Sequence, residues 1–352
     1  MEFRIAAESG NARTGLVRTR HGDFETPTIF PVHNLGADAG WNTPFYWKVF
    51  PEINTGMFNT ASLHMDKRHR LGSILRHGVH SFTKFPGIVF LDSGGFIYRK
   101  YHLKVSQEEL FDLQMRMKGD IVSTLDFPFL LSDRPKDSDI SISVRNARDA
   151  LTFRKRKGVL LYASVHAYDP SILKNVVRHL RRFGEFDGLA LGSLMRSFSS
   201  HELVIDLVLA LRREAPDLPL HIYGLGGPII STLLAYLGVD SVDSSMFVIN
   251  AGKRQYLLPN LKRVSVGELE GRKLPCECKI CSSHTAQDLR RDRDLLSFHN
   301  LWICWENMNH VRSAIRENRI EEYVEAAFSP APWAQKALNY ARHRMELGGR
   351  VS

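Results

Sequence analysis

Ile88-Val89-Phe90-Leu91-Asp92 is a run of four apolar residues closed by an aspartate. The pattern returns as Ile121-Val122-Ser123-Thr124-Leu125-Asp126 and as Val239-Asp240-Ser241-Val242-Asp243. Short, nearly continuous apolar runs fit strands buried on both faces, as in a parallel sheet covered by helices. In a parallel barrel the C-terminal strand ends converge on one mouth, where catalytic side chains sit. Three carboxylates at one mouth suggest a nucleophile, a proton carrier and a recognition acid.

Outward from these runs the chain alternates. Strand-like stretches fall at 87–92, 121–126, 159–166, 186–191, 219–224 and 239–247. Between them, Val105–Lys118, Ile140–Lys155, Ser171–Phe183, His201–Arg213 and Ile229–Leu237 read as helices, with Ser199-Ser200 as a cap before His201. Thr26-Pro27-Thr28-Ile29-Phe30-Pro31-Val32 supplies a first barrel strand and the 45–85 region one more. The count predicts an α/β protein, a (β/α)8 TIM barrel, over a doubly wound open sheet, because polar residues close so many different strands. Before it, Phe3–Ile5 and Leu16–Thr19 are strand-like around a Gly10-Asn11 turn. After it, Leu301–Phe328 reads as a long helix interrupted near Glu317-Asn318, and Trp333–Leu347 as a final one. The expected division is a catalytic domain over residues 1–260 and a metal module with C-terminal helices over 261–352.

The 352 residues carry 43% apolar side chains, enough for a substantial core, and a net charge of +9. No apolar stretch has the length of a membrane span and no secretory signal opens the chain, so a cytoplasmic location is expected. Basic residues cluster at Arg154-Lys155-Arg156-Lys157, at Arg178 with Arg181-Arg182, and at Arg290-Arg291 with Arg293. Taken together they favour a nucleic-acid partner, although each alone is an ordinary solvated helix face.

Three of the four cysteines lie in Cys276-Glu277-Cys278-Lys279-Ile280-Cys281. Three thiolates on a tight turn can occupy three corners of a zinc tetrahedron, which favours a structural Zn2+ over disulfides. His284, His299, Cys304 and His310 are candidates for the fourth corner. His299, which would pin the following helix to the knuckle, is expected to fill it, with Cys304 second.

Asp92-Ser93-Gly94-Gly95-Phe96, the Asp243-Ser244-Ser245 segment and the Cys276/Cys278/Cys281 knuckle followed by His299-Asn300-Leu301 together resemble the tRNA-guanine transglycosylase superfamily, over most of the chain. The resemblance implies a TIM barrel with a zinc module that exchanges a guanine in a polynucleotide for a 7-deazapurine. It implies Asp243 as the nucleophile at C1′, Asp92 as general acid/base, and Asp126 as the acceptor for the purine N–H edge. Ser93 belongs to the same motif. Phe96 and Tyr223 look like the walls of a base sandwich, with Gly224 following Tyr223 in a glycine-rich turn. Gly192 and Ser193 look like the loop that reads the other purine edge. His166 stands where the family commonly has a glutamine, a candidate donor to the purine O6, and Ile97 replaces another glutamine. The C-terminal half looks archaeal, yet the sequence stops soon after the zinc-module helices. That favours the branch that modifies DNA (DpdA), with DNA as polymer and 7-cyano-7-deazaguanine as base. The alternatives are a tRNA enzyme of the archaeosine or queuosine type, or a non-catalytic partner subunit. Relatives often dimerise through the zinc module, so a homodimer or a partner subunit is also expected.

Overall fold

The structure, a computed structural model, describes residues 2–35, 44–66, 72–129, 134–154, 158–194 and 200–349. Lys155-Arg156-Lys157 of the first basic cluster and Ser199 of the expected cap lie outside them.

Eight parallel strands close into a barrel. In chain order they are β4 (Thr28–His33), β5 (Thr55–Asn59), β6 (Ile88–Asp92), β7 (Ile121–Ser123), β8 (Leu160–Val165), β9 (Gly188–Leu191), β10 (Leu220–Ile222) and β11 (Ser241–Ser244), with β11 pairing back onto β4. The TIM-barrel class expected from the alternation is the fold observed. The strands are short because polar residues interrupt them where the chain leaves the barrel. The 121–126 run is a strand only to Ser123, so Asp126 sits in the loop beyond it. The 239–247 run ends at Ser244, whose hydroxyl accepts the N–H of Met246 at 3.0 Å and starts a helix, Met246–Gly252.

A three-stranded antiparallel sheet, β1 (Glu2–Ser9), β2 (Ala12–Thr19) and β3 (Gly22–Thr26), precedes the barrel. Its Val17 and Phe24 pack with Phe30, Met57, Ile88, Phe90 and Tyr162. This plug seals one end of the barrel, and the lumen is a packed core rather than a pore.

Helices flank the strands as the periodicity predicts. Gln107–Met117 opens with a capping box between Ser106 and Glu109, and Pro170–Phe183 with the Asp169 carboxylate on the Ser171 N–H. The expected long C-terminal helix is two, Arg293–Arg316 and Ile320–Phe328. The break falls at Asn318, which takes a left-handed φ of 54°. A short hairpin, β12 (Gln255–Leu257) and β13 (Arg263–Ser265), joins the barrel to the cysteine knuckle. Asn300 ties that hairpin to the long helix, accepting the Leu257 N–H at 2.9 Å and donating to the Gln255 carbonyl at 2.9 Å. No helix among the described residues is long and apolar enough to cross a membrane.

Candidate active site

Asp92 ends β6, Asp243 sits near the end of β11, and Asp126 follows β7. The barrel brings all three to one mouth. They are close enough that the charges of Asp126 and Asp243 act on Asp92. Burial first, and then those two like charges, push the Asp92 carboxyl up to about 8, against the opposing pull of the Gly94 and Ser93 N–H groups. At neutral pH Asp92 therefore carries a proton. Asn59, its register partner on β5, donates to Asp92 Oδ2 at 3.0 Å.

Asp243 is held differently. The Gly224 N–H donates to its Oδ1 at 2.8 Å, and His221 Nε2 stands 3.4 Å from the same oxygen. His221 is buried, with Nδ1 2.9 Å from Ser241 Oγ. No donor among the described residues reaches the other oxygen, Oδ2.

Asp126 accepts a short hydrogen bond from Ser93 Oγ on Oδ1, and His166 Nε2 lies 2.8 Å from Oδ2. His166 Nδ1 is 2.9 Å from Ser193 Oγ. Gly95 permits the close approach of the next helix to this loop: a Cβ there would stand 1.9 Å from the Asp126 carbonyl oxygen. Phe96, in the first turn of helix Gly95–Lys100, is 51% exposed at the rim. Tyr223 is half-buried beyond β10, with the charges of Asp92 and Asp126 adding to the burial that raises its phenol. No ring contact joins Phe96 and Tyr223 among the described residues. Gly192 follows β9, and Ser193 takes a left-handed φ of 67°.

One of these placements differs from expectation. His166 has both ring nitrogens engaged and its side chain fully buried, so it does not present a donor to a base. Two site residues were missed, Asn59 and His221. Their signal is a polar side chain within or ending an apolar strand run, in Met57-Phe58-Asn59 and Leu220-His221-Ile222.

Away from the mouth, the Sγ atoms of Cys276, Cys278 and Cys281 and a ring nitrogen of His299 all lie within 4.8 Å of one another. His299 Nε2 donates to the Leu257 carbonyl at 2.8 Å, which leaves the Nδ1 lone pair facing Cys281 Sγ at 3.2 Å. A backbone carbonyl fixing the tautomer of a metal-binding histidine is the usual supporting contact. Zn–S near 2.3 Å and Zn–N near 2.0 Å put tetrahedral donors roughly 3.5–3.8 Å apart, so this group could hold a zinc ion. Cys304 lies outside the group; burial pushes its thiol up to about 12. His284 Nδ1 is turned to the Ile280 carbonyl.

Among the described residues, most arginines of the basic clusters are paired. Arg178 bonds Glu214 through two nitrogens, and Arg181 bonds Asp217 at 2.7 Å. Arg154 pairs with Asp187 and Arg290 with Glu270. Lys253, Arg254, Lys262, Arg263, Arg272 and Lys273, on and around the β12–β13 hairpin, are exposed and form no ion pair among the described residues. Arg263 lines a cavity of about 310 Å3 that it shares with Gly224, Leu225 and Gly227.

A closed parallel barrel with clustered acidic residues at its mouth, joined to a Cys3His knuckle, defines the class. The queuine tRNA-ribosyltransferase family matches residues 8–331, and the chain belongs to that family. Among its relatives, the tRNA-guanine(15) transglycosylase of Thermococcus kodakarensis is 32% identical over 92% of this chain and 56% of its own length. The protein of the same name from Methanosarcina mazei is 27% identical over 92% of this chain and 66% of its own. That of Sulfolobus acidocaldarius is 26% identical over 99% of this chain and 72% of its own. The chain thus spans little more than half of the first of these relatives.

Proposed function

We propose that the chain exchanges guanine in tRNA for a 7-deazaguanine base through a covalent aspartyl–ribose intermediate. The observation that carries this is the opposed state of two carboxylates at one mouth: Asp92 held protonated, and Asp243 anchored by one oxygen with the other free. Asp243 Oδ2 attacks C1′, and the bond from C1′ to guanine N9 breaks as a C1′–O bond forms. Guanine leaves poorly as an anion, so the Asp92 proton goes to it. The incoming base returns a proton to Asp92 as its N9 attacks C1′ and frees the Asp243 carboxylate. Such a two-step exchange is ping-pong. Asp126 accepts from the base N–H edge, and Phe96 and Tyr223 flank the base, which must leave its stack to enter. Cys276, Cys278, Cys281 and His299 would hold Zn2+ as a closed structural site, without an open position for chemistry.

The relatives' names support tRNA as the polymer over the DNA expected from the sequence. An exchange assay with labelled 7-cyano-7-deazaguanine, run in parallel on tRNA and duplex DNA, tests both. Label in tRNA alone is the expected result. Label in DNA alone overturns the choice of polymer, and label in neither overturns the exchange reaction.

A further inference from the structure

We infer that His166 is a positioning residue: with Ser193 it forms a buried clamp that holds the Asp126 carboxylate as an oriented, ionised acceptor. The consequence for base recognition rests on the function proposed above; the clamp itself rests on geometry.

The direction of each hydrogen bond follows from its donors. The Asp126 carboxylate only accepts, so His166 Nε2 carries a proton and donates it to Oδ2. In the neutral ring Nδ1 is then the acceptor, and the Ser193 hydroxyl, which itself accepts the Phe129 N–H at 2.9 Å, donates to it. On the other side the Gly95 N–H donates to Ser93 Oγ at 3.0 Å, leaving that hydroxyl to donate to Asp126 Oδ1. Two strings of donors therefore end on one carboxylate, one on each oxygen.

Packing fixes the clamp. The His166 side chain has no exposed surface, and a Cβ on Gly192 would stand 2.6 Å from His166 Cε1. Glycine at 192 lets the ring lie flat against the loop. The left-handed backbone of Ser193 then directs its hydroxyl to Nδ1. With no surface of its own toward the mouth, His166 can influence a base only through Asp126.

The Asp126 charge that the clamp orients is one of the two like charges that raise the neighbouring Asp92 carboxyl, after burial. The other titratable groups around the pair are Asp243, which acts on Asp92, Tyr223, which feels both, and Tyr98, which feels Asp92. The described ion pairs give Asp126 His166 as its one partner.

Two measurements test this. The first compares exchange by the wild type, His166→Ala, His166→Gln and Ser193→Ala. His166→Ala is expected to raise KM for the free base by about tenfold or more, the worth of one hydrogen bond to a charged group. It should also displace the acid limb of the kcat/KM profile. His166→Gln, whose amide nitrogen falls where Nε2 was, should recover most of the loss, and Ser193→Ala should show a smaller one. Wild-type KM and an unchanged pH profile in His166→Ala overturn the inference. The second needs no activity: histidine 15N spectra of the free protein, with His166 assigned by its absence in His166→Gln. A neutral ring protonated on Nε2 is expected at pH 7. A ring protonated on Nδ1, or an imidazolium there, overturns it. If the wild type exchanges no base while the spectra show the Nε2–H form, the clamp stands and the proposed function falls. If exchange proceeds and either clamp result fails, the clamp alone falls.

Discussion

The two ends of the barrel each carry three aspartates, and they treat them in opposite ways. At the plugged end Asp120, Asp187 and Asp240 each come one residue before a strand: β7, β9 and β11. Each carboxylate accepts the backbone N–H of a neighbouring strand, from Val89 at 2.9 Å, Leu161 at 2.8 Å and Leu220 at 2.8 Å. Each also has an arginine: Arg20 on Asp120, Arg154 on Asp187, and both Arg13 and Arg212 on Asp240. His21 is hydrogen-bonded to Asp120 and His80 Nε2 stands 3.3 Å from it, and the Asp120 carboxyl is held below its ordinary range despite burial. At the mouth the ion pairs among the described residues give Asp92, Asp126 and Asp243 no arginine or lysine, and like charges act on Asp92. The same residue type thus serves as a strand clasp where cations neutralise it and, in the function proposed above, as a reactive group where they do not.

The largest expected effect comes from crossing that divide within three residues. Asp243→Asn should abolish both exchange and the covalent adduct, a loss of about 10^3-fold or more, the scale of removing a nucleophile. Asp240→Asn, one residue before the same strand, should leave kcat of the folded enzyme within a small factor of wild type. Its cost should appear in the urea midpoint, because Arg13 and Arg212 lose their counter-charge in a buried place. Breaking a buried pair in this way costs about 3–5 kcal/mol. An Asp240→Asn enzyme that melts as the wild type but loses turnover would erase the distinction between the ends.

Much of this division is visible before the fold is known. Asp92 and Asp243 announce themselves by closing apolar runs, because strand periodicity fixes which end of the strand a residue occupies. Asp240 lies in one of the same runs, and nothing local marks it as a clasp. Its partners Arg13 and Arg212 lie 227 and 28 residues before it. Asn59 escaped notice because β5 lies in a stretch with little periodicity. His166 stands out in the sequence, but the direction of its ring depends on the backbone of Ser193 and on the room that Gly192 leaves. Which of the clustered cations are free is hidden for the same reason as Asp240: whether Arg178 is paired depends on Glu214, one helix away.

A smaller effect separates the ends by pH. Asp92 binds its proton more tightly folded than unfolded, so the folded state holds more protons between the ordinary aspartate value and about 8. Stability therefore falls as pH rises through that window. Asp120 has the opposite sign: its contribution is present at neutral pH and is lost as pH falls through the acid range. Urea midpoints from pH 4 to 9 should decline on the alkaline side in the wild type, and Asp92→Asn should remove that component of the decline. Asp120→Asn should leave the alkaline slope as it was. An alkaline slope that survives Asp92→Asn would mean that the mouth does not hold its proton there.

The smallest effect concerns charge on the outside. Paired arginines, like the aspartates at the plugged end, have their fields largely cancelled at contact distance, and salt screens what remains. The exposed cations around β12–β13 keep theirs, and Arg263 shares a cavity with Gly224, whose N–H holds Asp243. A polynucleotide reaching the mouth past this hairpin would release counterions from its phosphates there. Each contact contributes roughly one unit to the slope of log K against log salt. Arg263→Ala and Lys262→Ala should each weaken tRNA binding modestly and flatten that slope by about one unit. Arg178→Ala should leave the slope unchanged, since Glu214 already holds the guanidinium. Equal slopes for all three variants would place the polymer elsewhere and detach the hairpin's charge from the mouth.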